Sequence, residues 1–75
     1  MPKLPRVSGA QVQRALEHLG FQQVRQSGSH VVMKREGKGC VVPMHSELKV
    51  GTFAGVLRQA EISPDAFVEA LQRKR

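Results

Sequence analysis

The chain has 75 residues, 40% of them hydrophobic, and 12 Lys and Arg against 6 Asp and Glu give a net charge of +6. That length leaves room for one domain over residues 1–75 and excludes a large multidomain enzyme, while the apolar content excludes intrinsic disorder. The excess of cations favours a polyanionic partner, nucleic acid first among them. Three Phe with neither Trp nor Tyr argue for phosphate contacts over base stacking. A chain this small buries only about 60% of its unfolded surface, so a partner or a dimer could add appreciably to stability. No apolar run approaches a membrane span. The opening Met1-Pro2-Lys3-Leu4-Pro5-Arg6 is basic but lacks the apolar stretch of a secretory signal, which makes the cytoplasm the expected location. With Cys40 as the single cysteine, neither an intramolecular disulfide nor a Cys-rich zinc cage can form.

In chain order, Ser8 is a good N-cap, and Val12, Ala15, Leu16 and Leu19 follow at the spacing of one helical face. Gly20 supplies a stop, and Phe21 is placed to fold back on the last turn as in a Schellman ending, so a helix is expected over about residues 9 to 19. From Phe21 to Arg35 the period moves toward two, broken at Ser27-Gly28-Ser29, which reads as a turn between two strands. Val24 is the expected anchor of the first. In the second, Val31 and Met33 share one face and His30, Val32 and Lys34 the other. A third run puts Cys40, Val42 and Met44 opposite Val41, Pro43 and His45.

Glu36-Gly37-Lys38-Gly39 is the connecting turn. A two-residue type II′ turn at Gly37-Lys38 pairs residue 35 with 40, 33 with 42 and 31 with 44, which collects the apolar positions on one face. The same register sets His30 directly opposite His45, whereas a three-residue turn slips the register by one and mixes the faces. After a polar stretch from Ser46 to Lys49, Phe53, Val56, Leu57 and Ala60 repeat the helical stripe. Ser63-Pro64 with Asp65 opens a last helix that buries Phe67, Ala70 and Leu71. The expected architecture is α+β, a three-stranded antiparallel sheet with helices packed on one face in the order α-β-β-β-α-α.

Histidine can both accept and donate a proton near neutral pH, so His18, His30 and His45 are the residues to weigh. His18 reads as a solvated helix residue. His30 follows Gly28-Ser29 directly, and with His45 it would bring a proton-transfer pair to a surface carrying Lys34, with Arg35 and Lys38 at the adjacent turn. That suits phosphodiester chemistry on RNA: a base takes the 2′-hydroxyl proton, an acid protonates the departing 5′ oxygen, and cations stabilise the charged intermediate state. A zinc site from His30, His45 and Cys40 is geometrically poor because Cys40 belongs to the apolar face, and the six acids are scattered singly. No metal or other cofactor is expected. Two rivals share the same charge: a non-catalytic RNA-binding module and a basic domain that meets an acidic protein.

Ser27-Gly28-Ser29-His30, Val42-Pro43-Met44-His45, Lys49-Val50-Gly51-Thr52-Phe53 and Val56-Leu57-Arg58-Gln59-Ala60, in this order and at these separations, resemble the HicA (YcfA-like) toxins of bacterial toxin–antitoxin systems. The resemblance covers nearly the whole chain. It implies a double-stranded-RNA-binding-domain-like fold, an mRNA interferase that cleaves without a metal, and a HicB-type antitoxin that binds the toxin and masks its site. It also implies that His30 is catalytic and that the Pro-x-His histidine corresponds to His45. Met33 departs from the pattern, since members often carry an aromatic residue three positions after the motif histidine. On the combined reading His30 and His45 are the expected catalytic pair, and Gly28, Ser29, Lys34, Arg35 and Lys38 the expected RNA contacts.

Overall fold

The computed structural model describes residues 6–72; the segment before Arg6 and the Arg73-Lys74-Arg75 cluster lie outside the described residues. The elements run α1 (Gly9–His18), β1 (Gln22–Ser27), β2 (His30–Arg35), β3 (Lys38–Pro43), α2 (Val50–Ala60) and α3 (Pro64–Gln72). The order is the one the sequence predicts. The three strands form an antiparallel sheet in the order β1-β2-β3, with α2 and α1 packed against β3 and α3 packed against α1. The other face of the sheet is free of helices among the described residues.

Local chemistry fixes the ends of these elements. The Ser8 hydroxyl accepts the Gln11 amide at 3.1 Å while the Gln11 side chain accepts the Ser8 amide at 2.8 Å, a reciprocal cap that satisfies two orphan donors of α1. At the other end the Phe21 amide donates to the Leu16 carbonyl at 2.9 Å and the Gly20 amide to Glu17 at 3.1 Å, with Gly20 at φ +97°. That is the expected Schellman ending, and Phe21 is buried by it. Ser63 Oγ accepts the Ala66 amide at 3.1 Å, capping α3 ahead of Pro64.

The core sits between the helices and one sheet face. Val12 and Leu16 of α1, Val31 and Met33 of β2, Val42 of β3, Phe53 of α2 and Phe67 of α3 are its most fully buried side chains. The Phe53 and Phe67 rings meet edge to face with centroids 4.7 Å apart. No polar or charged residue is buried among the described residues.

Two expectations about the sheet are corrected. The β2–β3 turn is Glu36-Gly37, both at positive φ (50° and 83°), so Arg35 pairs with Lys38, Met33 with Cys40, Val31 with Val42 and His30 with Pro43. A turn with positive φ at both central residues is of type I′, whose twist matches that of the flanking strands. This register differs by two residues from the one read from the sequence. A shift of two leaves every side chain on its expected face, and that is why the apolar pattern fits both; His45, however, does not stand opposite His30. The second correction is Val24, which is 53% exposed and lies in a β-bulge between Gln23 and Arg25. The bulge sets Arg25 beside Val32, and every residue of β1 is exposed.

One close approach ties α1 to the end of β3. Gly9 is buried, its amide donates to the His45 carbonyl at 2.9 Å, and a Cβ built on it would stand 2.1 Å from the Pro43 carbonyl oxygen. Gly9→Ala should therefore force the two backbones apart and destabilise the fold by about 2 kcal/mol or more. Thermal unfolding should show a drop of at least about 8 °C, since each kcal/mol moves a domain this small by about 4–8 °C; an unchanged transition would show that this contact is dispensable.

Candidate functional site

His30 is exposed and is the first residue of β2, directly after the Gly28-Ser29 turn. Gly28 takes φ +58° whereas Ser29 does not enter positive φ, the pattern of a type II′ turn that joins paired Ser27 and His30 in two residues. Strand alternation then carries His30, Val32 and Lys34 onto the helix-free face, while Val31 and Met33 enter the core. His45 is also exposed but lies past the end of β3. The Ser29 carbonyl accepts the Met44 amide at 2.6 Å, so the chain leading into His45 is fastened to the turn leading into His30. Both histidines thus sit at one corner of the sheet, without forming a cross-strand pair.

The cations expected beside them divide into different environments. Lys34 is exposed on the open face, paired with Gln22 and Gly39; a Cβ on Gly39 would come within 3.3 Å of Lys34 Cγ, so the aliphatic stem lies across that glycine. Lys38 is engaged by an ion pair, its Nζ 2.8 Å from Glu61 Oε1 at the C-terminal end of α2. Arg35 turns to the helix side. Its Nη1 donates to the Leu19 carbonyl at the end of α1, its Cζ lies 5.3 Å from the Phe21 ring centroid, and its Nε is buried without an acceptor.

The structure therefore places Arg35 as a strut between the sheet and α1. Arg35→Ala should remove a carbonyl partner, a cation–π contact and packing over Phe21 together, at a cost of about 2 kcal/mol in chemical denaturation. An Arg35→Ala protein as stable as the parent would return this residue to the pool of free surface cations.

Sequence reasoning passed over Arg25 and Gln22, and took Val24 only as the anchor of its strand. Arg25 pairs with Val32 only because the bulge rotates it there, and nothing in the local alternation announces a bulge. Together with Lys34 it makes the helix-free face cationic. Cys40 pairs with Met33 on the core side, so it does not join the histidines, and among the described residues no three His, Cys, Asp or Glu side chains come together as a metal site would need.

Burial pushes the Cys40 thiol up from an ordinary 9.0 to about 11. The native state thus favours the neutral thiol, a contribution fully present below pH 9 and lost as pH rises through about 11. Between those values wild type should lose stability faster than Cys40→Ala, read as the difference between their unfolding midpoints. Parallel pH profiles would show that the thiol ionises as freely in the native state as in the unfolded one.

A small α+β domain with a histidine at the mouth of a hairpin and a cationic, helix-free sheet face is the type of protein these features define. The family model of the HicA toxin of bacterial toxin–antitoxin systems matches residues 9–62, and the chain belongs to that family. No curated protein matches the chain. The double-stranded-RNA-binding-domain-like arrangement seen here is consistent with that membership, which assigns a toxin role and implies an antitoxin partner. No helix among the described residues is long and apolar enough to cross a membrane.

Proposed function

We propose that this chain is an endoribonuclease that cuts mRNA without a metal ion, with His30 as its central proton-transfer group. The observation that carries the reading is the position of His30, exposed at the start of β2 on a sheet face that no helix covers, in a chain of the HicA toxin family. His30 takes the proton of a 2′-hydroxyl, the 2′ oxygen attacks the adjacent phosphorus, and the bond to the 5′ oxygen breaks to leave a 2′,3′-cyclic phosphate. The departing 5′ oxygen takes a proton from a second group. His45, fastened to the same corner through the Ser29–Met44 hydrogen bond, is the residue we assign to that step.

Gly28 and Ser29 serve by shaping the turn that presents His30 and by offering backbone donors near the scissile phosphate. Lys34 supplies positive charge on the same face. Arg35 and Lys38 were expected to share that role; their engagement with Leu19 and Glu61 makes them weaker choices for phosphate. The partner we assign is a HicB-type antitoxin, and the compartment the cytoplasm.

Purified protein in excess EDTA should cleave RNA and leave an oligonucleotide methylated at its 2′ oxygens intact. His30→Ala should lower the rate by about 10²–10⁴-fold while the protein remains folded. Folded wild type that binds RNA and never cuts it would replace the enzyme with a non-catalytic binding module.

A further inference from the structure

At the end of the sheet away from His30, the C-terminal turn of α1 and the strands β1 and β2 line a wide, open-mouthed cavity of about 710 Å³. Leu19 and Val24 give it apolar walls, Gln22 and Lys34 join it to the open face, and Arg35 and Glu36 close its far side. Its volume is in the range of small-molecule sites. Lys34 stands four residues along β2 from His30, about 13 Å at the rise of a strand and roughly two nucleotide steps of an extended polynucleotide. Arg25 lies between them, brought beside Val32 by the bulge. The open face from His30 to Lys34 carries Gln22, Arg25, Ser27, Val32, Gly39, Val41 and Pro43, with no carboxylate among them. Its half-exposed valines, Val41 at 41% and Val24 at 53%, offer apolar surface for a base without an aromatic platform.

We infer that this face is a track for a single RNA strand and that the cavity receives one nucleotide of that strand, about two steps from the scissile phosphate. The inference rests on the proposed ribonuclease reading and names the part of the substrate its site selects. Arg25 and Lys34 neutralise successive phosphates along the track. Gln22, which presents both a donor and an acceptor, reads the edge of the base lying between Leu19 and Val24. The bulge is the element that makes the track, since it turns Arg25 toward the open side beside Val32.

The test uses the full chain and a series of single-stranded oligonucleotides methylated at every 2′ oxygen, lengthened one nucleotide at a time. Affinity should rise by about tenfold at the single addition that reaches the cavity and then level off, the size expected for one well-made set of hydrogen bonds. Val24→Asp and Gln22→Ala should erase that step. Both residues are exposed, and thermal unfolding confirms that the variants fold. Lys34→Gln and Arg25→Gln should each lower the dependence of log affinity on log salt by about 0.7, the value for one phosphate of a single strand, whereas Arg58→Gln on α2 should not.

A smooth length dependence, identical in wild type and Val24→Asp, overturns the inference. So does loss of antitoxin binding in Val24→Asp with the RNA step unchanged, which would assign the face to the protein partner. Cleavage of unmethylated RNA is scored separately. Cleavage without a cavity-dependent step removes the nucleotide site alone, and a step without cleavage removes the enzyme reading alone.

Discussion

The fold turns on a place where no side chain fits. Gly9 lets the first turn of α1 lie against the backbone of Pro43 and Met44, and its amide holds the carbonyl of His45. From that point the connections fan out: Leu48 donates to Val7 at 2.8 Å just before the helix, and Met44 donates to Ser29 in the opposite hairpin turn. The corner carrying both histidines is therefore assembled from three segments distant in sequence. Its geometry comes from backbone contacts, which leaves the imidazoles free of structural duty. With no buried charge among the described residues, backbone hydrogen bonds one residue away are what fix these exposed side chains in place.

The distribution of positive charge follows a similar division. Arg35 completes the carbonyl end of α1, where the helix dipole favours a cation, and covers Phe21. Lys38 meets Glu61, a residue held at φ 58° where α2 ends. Such an exposed pair is worth at most about 1 kcal/mol, yet it points the ammonium toward the helix and away from the open face. The net charge of +6 describes the field at long range. Close to the sheet, the cations carried by the helix-free face among the described residues are Lys34 and Arg25.

Much of this was readable in the residues. Ser8, Gly20 and Ser63-Pro64 announced the helix ends because capping depends on side chains three positions apart or fewer, and the stripes of α1 and α2 gave the buried faces. The exposed position of His30 followed from alternation in β2 alone. What failed were features that alternation cannot encode. Registers two residues apart bury the same side chains, so Glu36-Gly37 and Gly37-Lys38 were distinguishable only by backbone dihedrals, and the choice moved His45 away from its expected partner. The bulge at Val24 is likewise invisible to alternation; alternation does put Arg35 on the side of Val31 and Met33, but its partners Leu19 and Phe21 are distant in sequence. Alternation therefore placed His30 and Lys34 on the helix-free face, while the residue across from His30 is Pro43 and not the expected His45.

The outer margin of β1 has a consequence for how molecules of this protein meet. Gln13 donates to Gln23 at 2.8 Å, Gln23 to Gln26 at 3.4 Å and Gln26 to the Gly28 carbonyl at 3.3 Å, so amide side chains run beside an otherwise bare strand. Bare strands invite fibre-like stacking of identical copies. Here the bulge breaks the regular row of main-chain donors and acceptors, and the strand carries the charged Arg25. An interrupted edge of that kind is a poor template for sheet extension between copies, a consequence of the same irregularity that shapes the open face.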